Sequence, residues 1–171
     1  MKSNSEKWMA VGIDPGARGG MAWTDGVHTH WMVWPIPHDD HALVAAARST
    51  IMRASAVAVE AQQWRGGGDH AKAVSITSLV ADAAAAVAWA RGVSPAIAVY
   101  EWDARRWRRW ASVPACPGTS RAAYEERKRQ AQNRASDIAG RHVPLRYADA
   151  VCIASACLKK LEASQEKQCQ R

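Results

Sequence analysis

The run from Trp8 to Ile13 is apolar throughout, too short for a buried helix, and stops abruptly at Asp14-Pro15-Gly16. Such a run reads as a strand buried on both faces, so the chain must supply covering layers on either side of a sheet. The strand also ends on a carboxylate, Asp14, where Pro15-Gly16 turns the backbone out of the core. The pattern recurs in Ala56 to Glu60, where Val57 and Val59 alternate before the acid. In an open α/β sheet, side chains at the carboxyl ends of neighbouring parallel strands converge on one crevice. Two carboxylates there repel one another unless a cation lies between them, and Mg²⁺ prefers hard oxygen ligands. Taken singly, Asp14 is explained as a turn cap and Glu60 as a solvated strand end. Together, and joined by Asp149 in the first turn of the last predicted helix, they point to a metal site.

The rest of the chain supplies the layers. Gly20 to Thr24 and Val27 to Val33 are strands meeting across Asp25-Gly26, a two-residue hairpin signal. Asp39 to Ser55 reads as a helix that leads into the Glu60 strand. Ala71 to Arg91 is an Ala-rich helix stopped by Gly92, and Ala96 to Glu101 is a fifth strand. Ser120 to Gly140 is a charged helix, and Leu145 to Leu161 is a final helix introduced by Pro144. The order β-β-β-α-β-α-β-α-α predicts a five-stranded mixed sheet flanked by helices, the order of the ribonuclease H-like fold. At 171 residues the chain suits a single domain over 1–171, with an ordered core at about 8–161 and a polar tail at 162–171. The sequence predicts no membrane span and no signal peptide, hence a cytoplasmic protein. Cys116, Cys152, Cys157 and Cys169 have no zinc-type spacing and read as reduced thiols.

Charge separates the chain into two parts. Residues 1–100 hold eight Lys/Arg and eight Asp/Glu, whereas 101–171 hold fifteen and eight, so the whole net charge of +7 lies in the C-terminal part. That excess predicts a polyanionic partner, nucleic acid first.

Three segments carry a family resemblance. Val11 to Ala22 (VGIDPGARGGMA), Val57 to Glu60 (VAVE) and Tyr147 to Ala154 (YADAVCIA) resemble, in order and spacing, the RuvC-type Holliday junction resolvases, particularly their phage-like members. The resemblance covers about residues 8–160. It implies a homodimeric, Mg²⁺-dependent endonuclease, with Mn²⁺ as a substitute, that nicks four-way DNA junctions symmetrically and leaves 5′-phosphates. It implies catalytic and metal-binding roles for Asp14, Glu60 and Asp149, with Asp14 bridging. Such enzymes carry a fourth acid or a His three positions before the last Asp, where this chain has Arg146. Arginine cannot ligate a metal. Arg146 therefore either holds the scissile phosphate or pairs with Asp149, and His142 or Asp137 is an alternative source of the fourth ligand.

The same resemblance places an aromatic residue soon after the Glu. Here Trp64, between Gln63 and Arg65 in a glycine-rich loop, is the residue expected to stack on an unpaired base. In the segment Trp102 to Trp110, Trp107 is expected in the core, while Arg105, Arg106 and Arg109 are expected to reach DNA. Arg127, Lys128, Arg129 and Arg134 form a second basic cluster, of which Lys128 is the expected DNA contact. Two other readings compete. Actin-like and sugar-kinase folds also open on a GIDxG loop, but they need two such domains. A branched-DNA-binding protein of the same fold, catalytically weak or inactive, is separated from a nuclease only by assay.

Overall fold

The structure, a computed structural model, describes residues 8–16, 18–37, 39–61 and 70–169, with the backbone alone for 70–79 and 169. Five strands, β1 (Ala10–Asp14), β2 (Gly19–Thr24), β3 (Thr29–Trp34), β4 (Ala56–Glu60) and β5 (Ala98–Trp102), form one sheet in the order β3-β2-β1-β4-β5. β2 pairs antiparallel with β1 and β3, whereas β1, β4 and β5 run parallel. The helices are α1 (His41–Met52), α2 (His70–Val93), α3 (Ala104–Ala111), α4 (Arg121–Ala139) and α5 (Leu145–Cys169). This is the mixed sheet with flanking helices that the sequence predicts, with one helix more than the expected order: α3, capped by Asp103 and packed through Trp107 and Ala111, in a segment whose sequence reads as basic and aromatic.

Strand parity sorts the core into two layers, because successive side chains point to opposite faces. Val11, Ile13, Met21, Val57 and Val59 pack with Ala47 and Ile51 of α1 and with Ala86, Val87 and Ala90 of α2. On the opposite face Ala10, Ala22, Ala56 and Ala58 pack with Trp107 of α3, Ala131 and Ala135 of α4, and Val151, Ala154 and Leu158 of α5. One face is thus branched and bulky, the other small. The small face lets α5 lie almost on the backbone of β1: a Cβ at Gly12 would come within 2.3 Å of the Ala154 nitrogen and 2.4 Å of the Ala150 oxygen. Continuing the parity, Asp14 follows Gly12, and Glu60 follows Ala58, onto that same face.

Several boundaries differ from expectation for identifiable reasons. The β2–β3 connection spans Asp25 to His28, longer than a two-residue turn. Asp25 Oδ1 accepts hydrogen bonds from the Val27 and His28 amides at 2.9 and 2.7 Å, so β3 begins at Thr29. Asp40 caps α1, accepting from the Leu43 amide at 2.9 Å, and the helix starts after it. Ser120 caps α4, and Gly140 closes it in a left-handed conformation. α5 continues past the expected end at Leu161 to Cys169. Tryptophan fills the role of the absent Phe. Trp102 and Trp107 are fully buried, and Trp34 meets Trp89 edge-to-face at 5.4 Å. Among the described residues, no helix is long and apolar enough to cross a membrane.

The Gly12 contact is with backbone atoms, which cannot swing aside. Gly12→Ala is therefore expected to cost on the order of 3 kcal/mol. At about 2–4 °C per kcal/mol for a chain of this size, thermal melts should show a clear fall in Tm. An unchanged Tm would mean that α5 does not sit this close.

Candidate metal centre

Asp14 ends β1, and Glu60 ends β4 on the adjacent parallel strand, one step beyond the Ile13–Val59 pair. Asp149 enters from the first turns of α5, which crosses the same face. One carboxylate oxygen from each lies within 4.8 Å of the other two, the sole grouping of this kind among the described His, Cys, Asp and Glu residues. Glu60 and Asp149 are buried and Asp14 is partly so. Asp149 Oδ2 accepts a hydrogen bond from the Lys128 ammonium of α4, whereas Asp149 Oδ1 is buried without a partner among the described residues. Three carboxylates and one orphaned buried oxygen form a donor set that fits a hard divalent cation.

The electrostatics are those of a negative site awaiting positive charge. Burial, followed by repulsion from Glu60 and Asp149, raises the Asp14 pKa well above the usual carboxylate range, with Lys128 opposing. Burial and then Asp149 push Glu60 up to about 7, against the pull of Lys128, Arg108 and the Trp107 indole. That indole N–H faces Glu60 too loosely to complete a hydrogen bond and is left without a partner among the described residues. Lys128 is pulled down by its own burial. The Asp149 carboxylate, its hydrogen bond and the charge of Asp14 outweigh that effect, so Lys128 stays charged. The buried thiols take no part as ligands: burial drives Cys152 far up and Cys157 up to about 12.

A cavity of about 650 Å³ opens beside Asp14 and is lined by Arg18, Tyr124, Lys128, Arg129 and Arg146 among others. Arg146 is exposed at its wall, and its Nε donates to the Gly19 carbonyl at 3.2 Å. The Asp149 carboxylate takes its hydrogen bond from Lys128 instead. His142 is exposed, and neither it nor Asp137 joins the carboxylate cluster. Gln63, Trp64 and Arg65 lie outside the described residues. On α3, Trp107 is buried as expected, Arg105 and Arg109 are exposed, and Arg106 lies over the Trp102 ring at 5.9 Å. The second basic cluster disperses. Arg127 donates to the Cys116 and Gly118 carbonyls, Arg129 pairs with Glu126, and Arg134 donates to the Ala111 carbonyl. Sequence reasoning did not anticipate the seat of Lys128 among the acids or the cavity position of Arg18. Both depend on how distant elements meet, and neither leaves a local signal.

The raised carboxyls set a pH dependence. Each has a higher pKa folded than unfolded, so its contribution to stability is greatest below the unfolded value and is lost as pH rises through the folded value. For Glu60 that loss runs from about 4.5 to about 7. Lys128, raised and still charged, contributes evenly over this range. A bound cation reverses the carboxylate penalty, so Mg²⁺ or Mn²⁺ should raise Tm far more at pH 8 than at pH 5 in thermal melts against EDTA controls. An increment no larger at pH 8 would contradict the site.

No protein-family profile matches the chain, and no curated protein matches it in sequence. Solved structures do match. "Thermus thermophilus RuvC structure" aligns with a TM-score of 0.57 at 19% identity, over 91% of this chain and 96% of that one. "T. thermophilus RuvC in complex with Holliday junction substrate" aligns with a TM-score of 0.51 at 17% identity, over the same shares. The chain therefore has the ribonuclease H-like fold of RuvC over most of its length.

Proposed function

We propose that this protein is a divalent-metal-dependent endonuclease that cuts branched DNA, with four-way junctions as its substrate. The observation that carries the reading is the convergence of Asp14, Glu60 and Asp149 at two strand ends and a helix start, in a chain with the fold of a protein solved with a Holliday junction. Asp14, Glu60 and Asp149 would hold Mg²⁺, or Mn²⁺ in its place, and when bound the cation supplies Lewis-acid activation of the scissile phosphodiester. Glu60 gives up its proton to ligate, which its position near pH 7 makes easy at neutral pH. Arg146 and Arg18 line the cavity wall beside Asp14 and would hold phosphate oxygens of the bound strand. Lys128 donates to Asp149 Oδ2 and so orients that carboxylate. Symmetric nicking of a four-way junction needs two such centres, so the acting species is a homodimer, and hydrolysis leaves 5′-phosphates.

A second reading has one observation in its favour. The Lys128 ammonium already neutralises Asp149, as it would in a branched-DNA-binding protein that has no need of metal. The deciding measurement is Mg²⁺-dependent nicking of a synthetic four-way junction, with linear duplex as control. Asp14→Asn and Glu60→Gln should each lower the nicking rate by roughly 10²–10³-fold while binding persists. Wild-type rates in these variants would remove the acidic cluster from the reaction, and no nicking by the wild type would leave the binding-protein reading standing.

Trp64 follows Glu60 by four positions. As a base-stacking residue at the junction it would contribute about 1–3 kcal/mol to holding a strand open. Trp64→Ala should then reduce cleavage more than junction binding, and an equal loss of both would remove the stacking role.

A further inference from the structure

The arginines of the helices after β4 differ in how their charge is met. Arg91, Arg121 and Arg129 each pair with a glutamate, namely Glu101, Glu125 and Glu126. Arg105, Arg108 and Arg109 of α3 form no ion pair among the described residues, and all three face one cleft of about 910 Å³. Its far wall is the segment after α3, from Val113 to Thr119, and Arg127 of α4 closes one end. Among the described residues, no acidic side chain lines it. A concentration of guanidinium groups without counter-charge is costly in the free protein and is relieved by a bound anion.

The cleft is built rather than left by a loose loop. Arg127 Nη1 donates to the Gly118 carbonyl at 2.7 Å and to the Cys116 carbonyl at 3.3 Å, which ties the wall to α4. Arg134 Nε donates to the Ala111 carbonyl at 2.7 Å and fixes the end of α3 to the same helix. Arg108 stands at the inner edge with its guanidinium over the Trp107 ring at 5.1 Å, and its buried Nε has no partner among the described residues. Trp107 is the residue that faces Glu60, so the cleft begins beside the metal centre and leads away from it.

We propose that this cleft is a second phosphate-binding site, one that takes the sugar–phosphate backbone of the DNA strand running on from the metal centre. The proposal rests on the nuclease reading for the identity of the polyanion. Val113 and Pro114 give the sugars an apolar wall, and the arginine forks match phosphate oxygens bidentately.

The test is a binding titration of the full chain on an immobile four-way DNA junction in Ca²⁺, followed by anisotropy across a KCl series. Arg105→Ala/Arg109→Ala should weaken binding about tenfold near 0.1 M salt and lower the slope of log K against log salt by about 2, one unit for each phosphate no longer neutralised. Arg105→Lys/Arg109→Lys should keep the slope, since the charge remains. Arg91→Ala/Arg121→Ala should leave affinity and slope unchanged, and circular dichroism reports whether each variant folds. Wild-type affinity and slope in the double alanine variant overturns the proposal. So does competition by polyglutamate as strong as that by DNA, which would assign the cleft to an acidic protein segment. A second readout uses half-buried Cys116 on the cleft wall. In Cys169→Ser protein, saturating junction DNA should slow labelling of this thiol several-fold, and unprotected labelling counts against the site. The two readings fail separately: loss of binding in the variant with no nicking by the wild type sinks only the nuclease, and nicking with wild-type binding by the variant sinks only the cleft.

Discussion

The close approach of α5 to β1 is the constraint on which the site depends. Gly12 leaves no room between the strand and the backbone of α5 at Ala150 and Ala154, and Ala10, Ala22, Ala56 and Ala58 keep the surrounding face equally low. Packing of this kind has little slack, because the contact is backbone to backbone. It brings Asp149, one position before Ala150, to the ends of β1 and β4. The carboxylate cluster is thus set by residues that have no chemistry of their own. Larger side chains on this face would move Asp149 outward and open the cluster, even with all three acids present.

The cluster in turn requires compensation. Three carboxylates within 4.8 Å cannot all ionise in a partly buried site without a nearby cation. The protein supplies part of that charge itself: Lys128 binds Asp149 directly, and Arg108 acts on Glu60 from the other side. A full internal neutralisation would leave nothing to attract a metal, and none at all would make the fold unstable above neutral pH. The orphaned Asp149 oxygen and the elevated Glu60 pKa place the site between those limits. Folding is tolerated and a binding demand remains.

Much of this arrangement was legible in the sequence, for physical reasons that can be named. Alternation in Ala56 to Glu60 and the apolar run before Asp14 identify strands and the faces of their side chains, because strand periodicity is local. Caps at Asp40, Ser120 and Gly140 mark helix ends through chemistry within a few residues. What escaped was set by contacts remote in sequence. Lys128 read as the DNA contact of a basic cluster, yet its three neighbours there are used on Glu126, on loop carbonyls and on Ala111, and it alone reaches the acids. The Asp25-Gly26 pair suggested a tight hairpin, but the Asp25 side chain accepted two amides and lengthened the turn. The continuation of α5 beyond Leu161 has no local marker either, since its last turns are polar.

The positive excess of residues 101–171 takes on meaning beside that cluster. A polyanion approaching three carboxylates is repelled unless the field around them is inverted, and the Coulomb energy between unit charges at 4 Å is about 4 kcal/mol at an effective dielectric of 20. Lys128, Arg146 and Arg18 line the cavity on one side of the acids, and Arg108 begins the arginine cleft on the other. Balanced charge in the first hundred residues could not do this, because two of the three acids are themselves there. Apart from Arg18, these cations are brought to the acids by the helices that follow β5. A site negative at its centre and positive at its margins suits a small cation and a large polyanion at once, the pairing that the proposed cleavage of a phosphodiester backbone would require.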